Sequence, residues 1–368
     1  MSLKPSQKPA KIPPQMNQNK IVLLAKKPGL TSFSSLFTVK HAFGTSKVGH
    51  TGTLDSFAAG LLVVCVGSLT RLAGRITEFS KTYKAVIKFG EETDTLECTG
   101  NIVRRAPLPS EKEVVAAVRK FTGKILQQPP AFSAIHIDGK RASDLARGGK
   151  SAEIPFRPVE VFSAEIQEIL FDSSDSCGSG NGEKRVLACC IEFSVSKGTY
   201  IRSLARDIAN ECGSAAHLVG LLRTKIGNFR LEDAAGFSAL PEFSIENAFI
   251  SAEQTKNLEK IALENKKNNI RVKKIPEAEE IELEKECVRK SVPMSKELAE
   301  LCGFGCLVLA EGKNALFENG AKLQSAMFTS SPFQVKEKNA AVFSLSGDFK
   351  GLLEKNEQGY FSYSFVVH

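Results

Sequence analysis

Residues Lys47 to Asp55 have the sequence KVGHTGTLD, and the apolar run Leu61 to Val66 follows closely behind them. The glycines and threonines of this stretch permit a sharply bent loop that a ligand can approach, and a buried strand behind it would fix the loop's position. We therefore predict that the loop presents Asp55 to a ligand. For a glycine-rich loop taken alone, the alternative of an aspartate that only closes an Asx turn is more common.

The apolar spacing elsewhere predicts strands and helices in an irregular order. Strands are predicted at Ile21–Ala25, Tyr83–Phe89 and Leu187–Val195, and helices from Ser32 as its cap to Phe43, over 111–121 and after Thr199. In the last helix, Arg202 and Arg206 are four residues apart and should share one face. Because strands and helices do not alternate regularly, we predict an α+β domain with a central mixed, mostly antiparallel sheet flanked by helices.

Composition indicates the kind of partner and compartment. The 368 residues include 49 basic and 41 acidic side chains, and the formal charge of +8 suits a polyanion such as nucleic acid. Nine scattered cysteines are a poor layout for disulfides or a metal finger, so we expect a reducing cytoplasm and no metal. Residues 1–19 contain lysines and prolines without an apolar run, which favours a flexible basic tail over a signal peptide or membrane span.

The amino-acid composition of the chain changes near residue 240. Residues 254–290 are rich in Lys, Glu and Asn, as in a solvated helix or linker, and apolar runs return from about residue 300. We predict one globular domain over 20–240, a charged helical or linker segment over 241–295, and a small β-rich domain over 296–368. Residues 173–182, rich in Asp, Ser and Gly, are expected to form a disordered hairpin loop.

The loop around Asp55 resembles the signature motif of the TruB family of tRNA pseudouridine synthases. Further resemblances follow in the family's order at Lys81-Thr82-Tyr83, Thr93-Asp94-Thr95 with Gly100, Gln128-Pro129-Pro130, Lys197 to Arg202, Ala216-His217-Leu218, and Leu221 with Arg223-Thr224. Ordered blocks spread over residues 20 to about 235 are far more specific than any one of them. The resemblance implies a pseudouridine synthase fold and isomerisation of a uridine in the T-loop of tRNA.

The resemblance also implies roles for individual residues. Asp55 would be the catalytic carboxylate that drives cleavage of the uridine glycosidic bond, by attack at the base or at C1′ of the ribose. Arg202 would pair with it through a forked hydrogen bond, and Tyr83 would stack on the target base. Tyr200 and Leu221 match positions that contact the extruded nucleotide, and His50 matches the histidine that takes its place or orders the loop. On pattern alone, Tyr83, Tyr200 and Leu221 would be core residues and His50 a turn residue.

The family further implies an RNA-clamping insertion at residues 124–150, where Arg141, Arg147 and Lys150 would grip phosphates; a solvated loop is the alternative. We expect a monomeric enzyme with no cofactor, no metal and no membrane association, acting on the T stem-loop. Residues 296–368 have the length of the RNA-binding domain called PUA, or could form a cap on the catalytic sheet.

The chain departs from the family's pattern at several positions. Ser56 replaces the usual proline after the catalytic aspartate, and the other departures are Phe132, His136, Leu222 and Asn228. At Lys26-Lys27-Pro28-Gly29 either lysine could take the role of the family's single one. Two rival classes stay open: an RNA chaperone on the same scaffold, and an aspartate-dependent glycosidase, which would need a second acidic residue.

Overall fold

The computed structural model describes residues 19–133, 135–137, 139–148, 154–173, 184–267 and 278–367. The predicted basic tail, except Asn19, and the predicted loop at 173–182, except Ser173, lie outside these ranges. The strands are β1 (Lys20–Lys26), β2 (Val48–His50), β3 (Ala59–Val66), β4 (Lys81–Phe89), β5 (Glu91–Thr93), β6 (Ile102–Arg105), β7 (Gly123–Gln127), β8 (His136–Ile137), β9 (Lys140–Arg141), β10 (Arg157–Phe171), β11 (Val186–Val195), β12 (Ala216–Ile226), β13 (Phe229–Arg230), β14 (Val292–Pro293), β15 (Gly305–Val308), β16 (Asn339–Phe343), β17 (Phe349–Lys355) and β18 (Phe361–Val366). The helices are α1 (Ser32–Phe43), α2 (Ala73–Thr77), α3 (Glu111–Lys120), α4 (Ala142–Arg147), α5 (Ile201–Glu211), α6 (Ile245–Lys267), α7 (Ala278–Arg289), α8 (Lys296–Leu301) and α9 (Asn314–Glu318).

One large mixed sheet organises the chain from residue 20 to 293. Its strand order is β14-β1-β3-β12-β4-β11-β10-β7, with β2 added to β3 and β13 to β12. Among the described strands β3 and β12 pair in parallel, and the other pairs of this sheet are antiparallel. The predicted α+β class with a mixed, mostly antiparallel sheet is therefore confirmed.

Helix caps explain where two of the flanking helices begin. The Ser34 amide donates a hydrogen bond to the Thr31 hydroxyl, so Thr31 and not Ser32 is the N-cap of α1. The predicted cap at Ser32 was wrong by one residue, because the Ser32 hydroxyl is buried and bonded elsewhere. Helix α3 begins with a complete capping box between Ser110 and Glu113.

The charged segment after residue 240 packs against the sheet as two helices and is not an extended linker. Helix α6 buries Ile245, Ala248 and Ala252 in the same core as strand β12, and α7 buries Cys287 there. Where α6 packs on β12, Gly220 of β12 lies so close to the helix that an added Cβ would meet the Ala248 Cβ at 2.6 Å. Within the described residues, no helix is both long and apolar enough to cross a membrane.

A separate four-stranded sheet in the order β15-β16-β17-β18 forms the small C-terminal β-rich region, as predicted. Its buried residues Phe343 and Leu352 belong to one apolar cluster with Ile21 of β1 and Leu61 of β3. The Asn228 amide also donates to the Leu301 carbonyl of α8 at 3.0 Å. The C-terminal region therefore shares a core with the large sheet. It also accepts a hydrogen bond from Asn228, one of the residues that depart from the family's pattern. Its identification as a PUA domain stays a prediction.

Candidate active site

An open cleft of about 750 Å³ lies beside the Gly-rich loop and brings together residues from distant parts of the chain. Of the residues predicted from the sequence, Asp55, Tyr83, Tyr200, Arg202 and Leu221 all line it. His50 is not among the residues that line this cleft; it ends β2, paired with Val64 of β3. One concave site therefore contains the three residues for which catalytic roles were predicted.

Asp55 and Arg202 face each other in the cleft. The Arg202 Nη2 donates a hydrogen bond to Asp55 Oδ1 at 3.1 Å. Its Nε lies 3.1 Å from Asp55 Oδ2 but points in a direction that makes no hydrogen bond. Of the two parallel hydrogen bonds expected between Arg202 and Asp55, one is therefore formed. The Arg202 side chain is 6% exposed and that of Asp55 is 35% exposed, so the guanidinium is buried while the carboxylate remains open to a ligand.

Backbone carbonyls fix the direction of the Arg202 guanidinium. Its Nη1 donates to the Thr95 carbonyl at 2.9 Å, and its Nη2 also donates to the Phe132 carbonyl at 2.9 Å. The neighbouring residue Leu96 has φ of 60°, a left-handed conformation that costs free energy for a side chain of this kind. Strain at Leu96 is thus located where the chain turns to aim a carbonyl at Arg202, and no local pattern in the sequence predicts it.

The buried side chain of Lys26 binds backbone carbonyls next to the loop. It is 1% exposed, and its ammonium donates to four carbonyls, including those of Leu30 and Ala58 at 2.6 Å and of Ser56 at 3.2 Å. Burial lowers the pKa of Lys26 to about 7, against a smaller opposing effect of the Asp55 carboxylate. Lys27 instead forms an exposed ion pair with Glu279. Of the two lysines between which the sequence leaves the choice open, Lys26 is therefore the one that holds the loop.

Arg223 supports the same loop from the sheet. It is 1% exposed and donates to the carbonyls of Leu61 at 2.8 Å, Gly52 at 3.0 Å and Thr53 at 3.5 Å. Gly60 has φ of 116°, and a Cβ there would come within 2.4 Å of the Arg223 carbonyl oxygen, so glycine is required for this close approach. Arg223 lies in one of the blocks that resemble the family, but no role was predicted for it; an arginine within an apolar strand pattern was the available signal.

Hydrogen bonds to the backbone of the loop hold it in its bent conformation. Ser32 donates through its hydroxyl to the Leu54 carbonyl at 3.0 Å and accepts from the Leu54 amide at 2.8 Å. The Ser56 carbonyl accepts from Gly29 at 2.8 Å as well as from Lys26. Because serine and proline both have this carbonyl, these contacts do not distinguish the serine at position 56 from the family's proline.

Apolar walls complete the cleft. Tyr83 of β4 pairs across the sheet with Arg223 of β12, and Leu221 lies two residues earlier on that strand, opposite Ala85. Paired residues share a face of a sheet, so Tyr83 and Leu221 form one wall. Tyr200 is held at the start of α5 by the buried Gln127 amide, which donates to its carbonyl at 3.1 Å and accepts from its N–H at 2.8 Å. Burial raises the pKa of the Tyr200 hydroxyl.

The predicted pairing of Arg202 and Arg206 on one helix face is also visible. Both guanidiniums donate to carbonyls at the start of the predicted insertion, that of Arg202 to Phe132 and that of Arg206 to Gln128 at 3.0 Å. Arg141 ends β9 and Arg147 ends α4, while Lys150 lies outside the described residues. Ser143 of α4 lines the cleft, so part of the insertion borders the site.

Burial and the nearby Arg223 guanidinium lower the pKa of His50, so this imidazole is neutral at pH 7. Among the described residues that line the cleft, the acidic ones are Asp55 and Glu78, and Glu78 is ion-paired with Lys197. Within the described part of the chain, His, Cys, Asp and Glu side chains form no group of three or more that could hold a metal ion.

Comparison with known sequences identifies relatives over most of the chain. Residues 40–201 match the sequence model described as TruB family pseudouridylate synthase (N terminal domain). The chain is 44% identical over 321 residues to tRNA pseudouridine synthase B of Treponema denticola, covering 85% of this chain and 87% of that protein. It is 42% identical over 254 residues to the protein of that name from Borreliella burgdorferi, covering 69% and 84% respectively.

Solved structures show a similar fold at low sequence identity. The crystal structure of a Cbf5-Nop10-Gar1 complex contains a chain that is 20% identical, with a TM-score of 0.57, covering 95% of this chain and 85% of that one. A structure of an H/ACA RNP bound to a substrate RNA containing 2′-deoxyuridine gives 18% identity and a TM-score of 0.56, covering 95% and 83%. At these identities the likeness supports the overall fold.

Proposed function

Because the chain belongs to the TruB family of pseudouridylate synthases, we propose that it isomerises a uridine in the T-loop of tRNA to pseudouridine. The observation that carries the proposal is the Asp55 carboxylate, which is open to the cleft and directed by the buried Arg202. The predicted alternative, an Asp55 that only closes a turn, does not explain why a buried arginine is directed at its side chain.

The reaction needs no atom from outside the substrate. The bond between N1 of the uracil and C1′ of the ribose breaks, and a bond from C5 to C1′ forms. The proton on C5 leaves and N1 gains one, so the product is an isomer. A cofactor is therefore not required by the stoichiometry, and the proposal keeps the expected cofactor-free, metal-free and monomeric enzyme of the cytoplasm.

Asp55 and Arg202 supply the charge that the reaction requires. The Arg202 guanidinium fixes the orientation of the Asp55 carboxylate through a charge-assisted hydrogen bond. An ionised Asp55 can attack the base or C1′, or stabilise the positive charge that develops on the ribose as the glycosidic bond weakens. Both routes use the same carboxylate, and the geometry of the free protein is compatible with each.

The walls of the cleft suit a uracil that must stay bound while it turns. Tyr83 and Leu221 present an apolar surface beside Asp55, and Tyr200 bounds the cleft at the start of α5. Apolar walls keep a detached base in place and exclude water, which would otherwise hydrolyse the intermediate. The uridine must leave its stacked position in the RNA loop to reach this site, as in other enzymes that modify bases.

Glycoside hydrolysis is the less favoured reaction. It needs a second carboxyl group that donates a proton, and among the described residues that line the cleft the acidic side chain besides Asp55 is that of Glu78. In the free protein the Glu78 carboxylate is engaged by the Lys197 ammonium.

The test compares wild type with Asp55→Asn on a T-arm stem-loop RNA, using a carbodiimide-based stop assay for pseudouridine at the loop uridine. We expect the variant to lose at least about a thousandfold in rate, since the amide cannot act as a nucleophile, while RNA affinity persists. Asp233→Asn, outside the cleft, is the matched control and should retain full activity. Tight binding without pseudouridine from wild type would instead support the RNA chaperone.

A further inference from the structure

At the rim of the cleft, Lys197 and Glu78 form an ion pair that the reaction proposed above does not use. Lys197 lies in the turn between β11 and α5, five residues before Arg202, and Glu78 follows α2. Both line the cleft together with Asp55. Their side chains are 57% and 56% exposed, so solvent and RNA can reach the pair.

We propose that this pair is a phosphate-exchange site. In the free protein the Glu78 carboxylate is ion-paired with the Lys197 ammonium, and a backbone phosphate of the RNA displaces the carboxylate when the uridine enters the cleft. The inference rests on the proposed function, because it assigns a further contact to the same RNA substrate. Lys197 would then be a binding residue, and Glu78 an internal competitor of the phosphate.

Arg157 also lines the cleft and is exposed, but the other three cations of the described lining are held by the fold. Arg202 is occupied by Asp55 and two carbonyls, and Arg223 by carbonyls of the loop. Lys81 is 7% exposed and donates to the carbonyls of Thr77 and Phe79. A charge bound to buried carbonyls cannot leave them without leaving polar groups unpaired. Lys197, by contrast, has an exposed carboxylate as its partner.

Lys81 also gives the site a defined geometry. The two carbonyls that it binds belong to the residues on either side of Glu78. The Glu78 amide donates to the Arg75 carbonyl at 3.2 Å, which adds a third backbone constraint. The Glu78 backbone is therefore fixed at the rim, and its carboxylate meets Lys197 at a defined point.

The energetics favour exchange. An exposed lysine–carboxylate pair contributes only about 0–1 kcal/mol, so little is lost when it opens. A lysine that binds an RNA phosphate releases condensed counterions, and each such contact adds about 0.7 to the slope of log K against log salt for a single strand. The phosphate is thus the stronger partner at low salt, and the carboxylate becomes more competitive as salt rises.

The experiment measures the affinity of the T-arm stem-loop for wild type, Lys197→Gln, Lys197→Arg and Glu78→Gln over a range of salt concentrations. We expect Lys197→Gln to weaken binding several-fold and to reduce the salt slope by about 0.7 to 0.9, whereas Lys197→Arg keeps the slope. Glu78→Gln should tighten binding by up to about fivefold, since the competing ion pair contributes at most about 1 kcal/mol. An unchanged slope in Lys197→Gln, or weaker binding by Glu78→Gln, would overturn the proposal.

The exposed pair Lys120 and Glu211 provides the matched control, because it has similar chemistry but does not line the cleft. Lys120→Gln and Glu211→Gln should leave both affinity and slope unchanged. Pseudouridine is scored in the same wild-type samples. If wild type forms it and Lys197→Gln keeps the full slope, the inference fails and the proposed function stands. If wild type forms none but the slopes differ as expected, the phosphate site stands and the proposed function fails.

Discussion

The floor and the rim of the cleft both carry positive charge, but with different partners. At the floor, Lys26 and Arg223 are each 1% exposed and donate to backbone carbonyls of the loop around Asp55. At the rim, Lys197 is more than half exposed and pairs with a carboxylate. Buried charges are tolerated only where their donors are satisfied, so the floor cations are bound to the fold. The rim cation is free to change partners, which is what a binding contact requires.

The largest effect that this comparison predicts is at the floor. Arg223→Gln should lower the free energy of unfolding by about 3 kcal/mol, because it leaves the buried Leu61 carbonyl and the partly buried Gly52 and Thr53 carbonyls without this donor. It should also lower the rate of pseudouridine formation by about a hundredfold, since a small displacement of Asp55 spoils its alignment. Urea titration and the stop assay measure the two effects.

Arg223→Lys is the control for charge, because it keeps the cation but lacks the planar fork of N–H donors that reaches the three carbonyls. It should lose less stability than Arg223→Gln. Wild-type stability and rate in Arg223→Gln would show that the floor cation does not support the loop.

A smaller effect, on pH dependence, tests whether Lys26 is as buried as its contacts indicate. Its pKa is about 7 in the folded protein and near 10.5 in the unfolded chain. Between these values the unfolded chain binds a proton that the folded protein lacks, so this group makes stability rise with pH; below pH 7 its destabilising effect is fully present. Relative to Lys26→Met, wild type should gain about 2 kcal/mol of unfolding free energy between pH 7 and pH 9.

Urea titrations of both proteins at pH 7, 8 and 9 measure this difference. A parallel pH dependence in the two proteins would mean that the four carbonyls keep Lys26 charged across this range. Lys27→Met should follow wild type, because Lys27 is exposed.

The smallest effect should come from a partly exposed ion pair that joins helix α2 to the C-terminal sheet. Arg75 donates to Glu354 of β17, and this bond lowers the pKa of the Glu354 carboxyl. Arg75→Gln should cost less than about 1 kcal/mol, because exposed pairs contribute little and the shared apolar cluster holds the C-terminal region in place. A loss above about 2 kcal/mol by urea titration would contradict the distinction between buried and exposed charges.

Several features of the site could be predicted from local sequence. The glycines around Asp55 and the apolar strand behind it predicted a presented loop, and the alternation around Tyr83 predicted its face of β4. The spacing of Arg202 and Arg206 predicted a shared helix face. Each of these depends on residues that are close along the chain, where the periods of helix and strand determine which side chains lie together.

Other features depend on which distant segments supply acceptors. Thr31 rather than Ser32 caps α1 because Ser32 bonds to Leu54, in the loop 22 residues away. Leu96 adopts its strained conformation where Thr95 faces Arg202, 107 residues along the chain. Neither the cap nor the strain follows from local pattern, since both depend on contacts made only in the folded chain.

The sequence by itself determined the α+β class, the predicted family, and the residues Asp55, Tyr83 and Arg202 as candidates. Only the tertiary structure decided which cations position the loop and which remain exchangeable. Lys26 is distinguished from Lys27 by a carbonyl 32 residues away, and Arg223 finds its shortest bond to a carbonyl 162 residues away. The reason is physical: whether a charge is buried, and by what it is satisfied, depends on the acceptors that folding brings around it.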